Sequence, residues 1–476
     1  MEFKAAIGLE IHVTLKTKSK MFSAAPNYFS HEPNTHVTVY DMAHPGTMPT
    51  VNAEAVRHGI RLAHALHMDI DPLLRFDRKC YFYPDSPKGF QITQQFHPLG
   101  RGGFIEIECE DGSKKTIGLK RLHLEEDACK MFHRAEDTLL DYNRVGVPLV
   151  EIVSLPELSS GREAARFVEA IRHLVVYALA SDGKMEDGSL RCDVNVSIAP
   201  RESDALGTKV EIKNLNSLRN IERAIDQEIF RQSELLRQGM PIEGQTRRYD
   251  EASGSTKLMR SKAEAVDYRY VPEANIVPIR LTEAFIAKAI EECPELYERK
   301  RERYLKLGIS AKDADVILYD VAMAQYFDRV LACGAPTKAA TVLFNVEVQA
   351  SLHKMGKSIV EFPLEPKRLA ELAFMQEQGY PHQAVVQAFH YLLEHPKSTL
   401  EEAQIALSLT PPTQDEEGVL ELVRQTLDEN PRSIADYKAG KDRAMGFLVG
   451  KAIQAAKGRY GPSDIAKAMK EELGKK

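Results

Sequence analysis

Glu10, His12, Glu125, Asp193 and Glu211 stand in stretches where apolar and polar residues alternate, and Glu151 lies within an apolar strand-like run. A strand sends successive side chains to opposite faces, so in Gly8-Leu9-Glu10-Ile11-His12 the carboxylate and the imidazole share a face, about 7 Å apart. Both could then approach one metal ion or one polyanion, although an isolated E-x-H is equally at home on the solvated face of an amphipathic strand. Several carboxylates on one sheet repel each other unless divalent cations neutralise them, so their recurrence predicts a metal site. Carboxylate oxygens suit Mg2+, which commonly accompanies nucleotide phosphates. His12 fits a softer ion such as Zn2+ or Mn2+, or else supports a ligand or donates to a phosphate. Glu151 interrupts the apolar run Val147 to Val153. A buried acid is costly alone, so a cation, a metal or a set of donors should meet it, unless this is an exposed edge strand.

Cations come from Phe76 to Lys88, where aromatics, basic residues and acids crowd into a strand that runs into a Pro-punctuated loop. Lys79 and Lys88 could supply positive charge for phosphates, or merely flank an aromatic core strand. Neither a G-x-x-x-x-G-K-[ST] nor a G-x-G-x-x-G is present, so any nucleotide is held outside a P-loop or dinucleotide fold. No G-x-S-x-G elbow or recognisable cysteine nucleophile appears.

The elements that must carry these groups are legible in outline. Asn52 predicts an N-cap for a helix with Val56, Ile60, Ala63 and Leu66 on one face. Ile105 to Cys109 and Lys114 to Ile117 form a hairpin around Asp111-Gly112. A phase shift near Lys120 predicts a bulge that re-aims His123, Glu125, Glu126 and Asp127. Ser160 opens one helix with a capping box and Ser217 a second, while the segments around Asp193 and Glu211 pair as strands between them. Beyond Pro278 the pattern turns helical. The fold class is therefore α+β, with a change near residue 290 from mixed α+β to all-α and a second boundary near residue 405, where the charge switches.

With 476 residues, 43% hydrophobic and 28% charged, the chain is long enough for two or three domains. Six scattered cysteines without a C-x-x-C fit a reducing compartment, and the charged opening is unlike a signal peptide, so a cytoplasmic location is expected. A net charge of −6 argues against general nucleic-acid binding, but Ser398 to Asn430 carries one base against eight acids, whereas Arg432 to Lys476 carries eleven bases against five acids. Lys438, Lys441, Arg443, Lys451 and Lys457 lie in this basic tail, either as a solvated face or as a nucleic-acid surface.

Gly8 to His12, the Lys79 to Lys88 loop, Leu122 to Asp127, Leu149 to Val153, Gly188 to Asp193, Lys213 to Ser217 and Lys441 to Gly450 occur in the order in which they stand in the B subunits of aspartyl/glutamyl-tRNA amidotransferases, and the chain resembles that family over its whole length. The resemblance implies an N-terminal cradle domain over 1–290 built on a largely antiparallel sheet, an all-α helical domain over 291–405 and a small helical tail over 406–476 that contacts tRNA. It also implies ATP-dependent phosphorylation of the side-chain carboxylate of mischarged Asp-tRNA(Asn) or Glu-tRNA(Gln), followed by attack of ammonia. ATP and Mg2+ would be used, with ammonia delivered by a partner amidase (A) subunit and a small linker (C) subunit completing a heterotrimer. On that basis Glu10, His12, Glu125 and Glu151 would organise the metal at the reacting centre, with Asp193 and Glu211 as further acids. Lys79 and Lys88 would face ATP phosphates or the activated acyl group, and the tail lysines and Arg443 the tRNA backbone. A stand-alone carboxylate-amine ligase and a non-catalytic tRNA-binding scaffold are the rival readings.

Overall fold

The computed structural model describes residues 2–261, 267–409, 416–438, 443–456 and 460–475. The chain divides into two compact units, Met1–Tyr297 and Glu298–Lys476.

The first unit opens with β1 (Phe3–Thr14) and α1 (Ala53–Ala65). Short strands follow: β2 (Asp69–Ile70), β3 (Leu73–Leu74), β4 (Asp77–Cys80), β5 (Phe90–Thr93) and β6 (Gly100–Arg101). Next come β7 (Phe104–Glu108), β8 (Lys114–Glu126), the hairpin β9 (Lys130–His133) and β10 (Thr138–Asp141), and β11 (Pro148–Ser154). Helix α2 (Gly161–Tyr177), β12 (Leu190–Pro200), β13 (Val210–Leu215) and α3 (Leu218–Arg237) lead to β14 (Gln245–Asp250), β15 (Ser255–Ser261), β16 (Val271–Pro272), β17 (Ile279–Arg280) and α4 (Glu283–Glu291). The main sheet has the order β15-β14-β13-β12-β1-β11-β8-β6-β2, with β7 also on β8; β16-β4-β5 form a small separate sheet. Pairing is antiparallel except between β13 and β14, in keeping with the expected class.

Strand β1 lies in the middle. Its inward residues Ile7, Leu9, Ile11 and Val13 are fully buried with Val150 and Ile152 of β11 and Val194 and Val196 of β12. Helices α1, α2 and α3 cover that apolar face through Ile60, Phe167 and Ile221, which leaves Glu10 and His12 to the opposite face. Asn52 caps α1 by accepting from the Glu54 and Ala55 amides, and Ser217 caps α3. Ser160 accepts from the Glu163 amide, but the Glu163 carboxylate reaches back to Ser159 rather than to Ser160, so the reciprocal half of the box is displaced by one residue. The anticipated bulge is present: pairing passes from Val153↔Arg121 to Ser154↔Leu119, skipping Lys120.

Gly161 permits the close approach of α2 and α3. A Cβ there would stand 2.3 Å from the Glu222 carbonyl oxygen and 2.7 Å from Asp226 Oδ1. Backbone cannot yield as a flexible side chain can, so Gly161→Ala is expected to cost ~1–3 kcal/mol of stability, more than the helix propensity of alanine returns. The check is a melting midpoint lowered by several degrees; an unchanged midpoint would show that the helices separate freely.

The second unit is helical. Its last part has its own core, in which Val423 and Leu427 of helix Glu416–Glu429 meet Leu448 and Ala452 of helix Arg443–Ala456 and Ile465 and Met469 of helix Pro462–Lys475. Among the described residues no helix is long and apolar enough to cross a membrane.

Candidate active site on the central strands

The polar face of the sheet is organised by register. Arg191 on β12, His12 on β1, Glu151 on β11 and His123 on β8 are successive cross-strand partners, so four charged or titratable side chains stand in one row. The next row holds Asp193, Glu10, Val153 and Arg121.

Around the first row two imidazoles and two carboxylates converge. His12 Nε2 lies 3.3 Å from Glu151 Oε2 and 3.7 Å from Glu125 Oε1. His123 Nε2 lies 3.2 Å from the same Glu151 oxygen and 3.5 Å from Glu125 Oε2. Glu125 is 4% exposed and Glu151 9%, which makes unneutralised charge costly here. Thr93 Oγ1 donates to Glu125 over 3.4 Å. Burial alone would strip the protons from the histidines. The charge and hydrogen bonds of Glu151, together with Glu125, outweigh it: His12 is raised above its usual range and His123 is raised to about 9. Burial likewise works to raise the Glu151 pKa, but the two histidines hold it well below the ordinary carboxylate range. Both histidines are thus biased toward the charged form beside the carboxylates, where a bound divalent ion would supply positive charge in their place.

The donor set fits such an ion. One ligand atom from each of His12, Glu125 and Glu151 lies within 4.8 Å of the others. Two nitrogens and two carboxylates suit Mn2+ or Zn2+ better than Mg2+, which prefers oxygen. His123, which is not among the metal-organising residues that the resemblance implies, joins them here, and its spacing of two from Glu125 puts both on one strand face.

Glu10 stands one row away, where its Oε1 accepts from Asn195 Nδ2 over 3.0 Å. Asp193 and Glu211 are brought together around Lys213, whose Nζ lies 2.5 Å from Asp193 Oδ2 and 3.1 Å from Glu211 Oε1. Burial lowers the Lys213 pKa, yet the two carboxylates keep it above the ordinary lysine range. A register shift between β12 and β13, beside Asn214 with its φ of 64°, aims Lys213 at this pair. The oxygen-rich half of the face therefore has a built-in cation, while in the other half the histidines themselves stand against the carboxylates.

The lysines of the aromatic loop diverge. Lys88 is almost buried and paired with Glu126, with Tyr40 at 3.3 Å. Lys79 sits 4.7 Å over the Tyr268 ring, and among the described residues no carboxylate lies within ion-pair distance of it. Fully buried Lys20, 3.9 Å from Asp41, was also passed over in the sequence; burial brings its pKa down to about 8 against the pull of Asp41 and Glu126.

In the tail, Arg443 and Lys451 are exposed on one helix, with Lys451 Nζ 6.0 Å from the half-exposed Phe447 ring. Lys438 ends the helix Pro431–Lys438. Lys441 and Lys457 lie outside the described residues.

Residues 5–287 match the family described as the GatB/GatE catalytic domain, and residues 325–473 match the GatB domain. Over 480 residues, covering all of both chains, the sequence is 41% identical to the B subunit of the aspartyl/glutamyl-tRNA(Asn/Gln) amidotransferase of Lysinibacillus sphaericus. It is 42% identical to proteins of the same description from Geobacillus kaustophilus, over 483 residues, and Listeria innocua, over 478, again across the full length of each.

Proposed function

Because the chain belongs to the GatB/GatE family, we propose that it is the B subunit of an aspartyl/glutamyl-tRNA(Asn/Gln) amidotransferase, an ATP-dependent ligase of the cytoplasm. The observation that carries the site assignment is the convergence of His12, His123, Glu125 and Glu151 in the middle of the sheet. The γ-phosphoryl group of ATP passes to the side-chain carboxylate of mischarged Asp-tRNA(Asn) or Glu-tRNA(Gln), releasing ADP. Ammonia then attacks the activated carbonyl and expels phosphate, leaving Asn-tRNA(Asn) or Gln-tRNA(Gln). A carboxylate oxygen is a poor leaving group until it is phosphorylated, which is why ATP is required.

His12, Glu125 and Glu151, with His123 as the fourth donor, would hold a divalent ion. When bound, that ion neutralises charge on the phosphates during transfer. The protein's own task is positioning and charge balance. Lys213 holds Asp193 and Glu211 so that these acids do not repel the incoming phosphates, and Glu10, fixed by Asn195, stands beside the quartet as an added metal-organising acid. Lys79, with its ammonium over an aromatic ring, is our choice for the phosphates; Lys88 would have to exchange Glu126 for phosphate to join it. The chain carries no recognisable glutaminase nucleophile, in keeping with ammonia arriving from an amidase subunit through a heterotrimer that a small linker subunit completes. Arg443 and Lys451, together with Lys438, Lys441 and Lys457, would meet the tRNA backbone, a contact that weakens with salt.

The test is ATP hydrolysis by the chain assembled with its amidase and linker subunits, with and without mischarged tRNA. Turnover that depends on Asp-tRNA(Asn) or Glu-tRNA(Gln) is the expected result. Turnover on a free small acid without tRNA would replace this reading with that of a stand-alone ligase.

A further inference from the structure

Beside the quartet runs a series of aromatic rings drawn from three separate segments. Phe96 meets Tyr270 edge-on at 6.4 Å between centroids, Tyr270 meets Tyr268 at 6.3 Å, and Tyr268 meets Tyr81 at 6.5 Å. The rings are held from behind. The Phe96 amide donates to Asp77 Oδ2, the Cys80 amide donates to the Tyr268 carbonyl, and Val271 pairs with Arg78. Phe96 is 50% exposed and the three tyrosines are half-buried, so the series is not a closed core.

The rings flank the small β16-β4-β5 sheet, which touches the reacting centre. Thr93, on the same small sheet, bonds Glu125. The Tyr270 hydroxyl is pushed up to about 12 by burial and by the charges of Glu151 and Glu125, against Arg121.

Basic groups line the rings. Arg121 shares the sheet face of His123; its Nη1 donates to the neutral Gln95 over 3.1 Å, its buried Nε has no partner, and among the described residues no carboxylate pairs with it. Arg101 donates to the Phe96 carbonyl and is exposed, Lys79 lies over Tyr268, and Arg269 projects from the segment between the two tyrosines with a φ of 44°.

Aromatic platforms in sequence along a basic margin are what an unpaired run of nucleotides requires: rings for successive bases and cations for the phosphates between them. A free nucleotide offers one base and would use one ring. Four rings in steps comparable to the reach of one nucleotide fit a polymer. Resting on the function proposed above, we propose that Phe96, Tyr270, Tyr268 and Tyr81, flanked by Arg121 and Arg101, form the track on which the unpaired 3′ end of the aminoacyl-tRNA lies, delivering its aminoacyl group to the quartet.

The experiment uses the assembled complex and two uncharged tRNAs, one intact and one trimmed of its unpaired 3′ nucleotides. With the wild-type chain, trimming is expected to weaken binding by about tenfold or more. Phe96→Ala and Tyr81→Ala should weaken binding of intact tRNA to a similar degree, leave trimmed tRNA unaffected, and leave the KM for ATP unchanged; Phe96→Trp should restore the wild-type difference. Equal losses for both tRNAs, or no loss for either, would overturn the track. A raised KM for ATP with tRNA binding intact would overturn it too, by making the rings an adenine platform. Absence of any amidation of mischarged tRNA by the wild-type complex would instead refute the function on which the track rests.

Discussion

Glu151→Gln is expected to lower tRNA-dependent ATP hydrolysis by roughly 10²–10³-fold, the scale seen when one preorganised electrostatic group is removed. Glutamine keeps the shape and can still accept from an imidazole, so the sheet has no reason to open. What is lost is the charge that both histidines share, at 3.3 and 3.2 Å from a single oxygen. Supplying ammonium chloride in place of glutamine separates this step from ammonia delivery, and the defect should persist there. NMR of the histidine rings gives an independent reading: the titration of His123 should move down from about 9. Near-normal ATP turnover together with a lowered histidine pKa would mean that the quartet is electrostatic scaffolding and that phosphoryl transfer takes place elsewhere.

Metal affinity should rise steeply with pH and level off above about 9. An imidazole must be deprotonated to bind an ion, and both histidines hold their protons above the usual range. Each ion therefore displaces one to two protons, and the apparent affinity for Mn2+ should grow by about 10- to 100-fold per pH unit between roughly pH 6 and 9. Calorimetry in buffers of different ionisation enthalpy counts the protons directly. Stability of the metal-free chain runs the other way. Because folding raises the His123 pKa from its ordinary value of 6.5 to about 9, its stabilisation, on the order of 3 kcal/mol, is fully present below pH 6.5 and lost as pH climbs through 9. Glu151, whose pKa is lowered, contributes above its unfolded value of 4.5 and ceases to do so as pH falls through its depressed one. A pH-independent Mn2+ affinity would place the ion among oxygen ligands such as Glu10 rather than on the histidines.

Much of this was legible because strand alternation is local. The E-x-H pair, the bulge at Lys120 and the caps at Asn52 and Ser217 depend on neighbours a few residues away, and each lies where the pattern put it. What escaped depends on register between distant strands. Alternation puts Glu10 and His12 on one face but cannot say that one faces Asn195 and the other Glu151. His123 stood in plain view, yet its importance comes from lying opposite Glu151, which only the β8–β11 pairing reveals. Lys213 read as one more alternating residue until an irregularity in pairing turned it onto two acids. Lys88 was read by charge alone, and its burial against Glu126 comes from the packing of a loop against a strand. The aromatic series was invisible because its rings come from three stretches more than a hundred residues apart at the extremes.

The place of β1 has a consequence for synthesis. The strand leaves the ribosome before both of its neighbours: Leu9 bonds Ser154, 145 residues downstream, and Glu10 bonds Asn195, 185 downstream. Until those segments emerge, Ile7, Leu9, Ile11 and Val13 form a β-prone stripe with nothing to pair with, the kind of segment that seeds aggregation. At ordinary translation speed that wait lasts on the order of ten seconds or more. A nascent chain of this protein therefore exposes β1 before either of its partner strands and completes that pairing late, so early folding proceeds with a core strand unpaired.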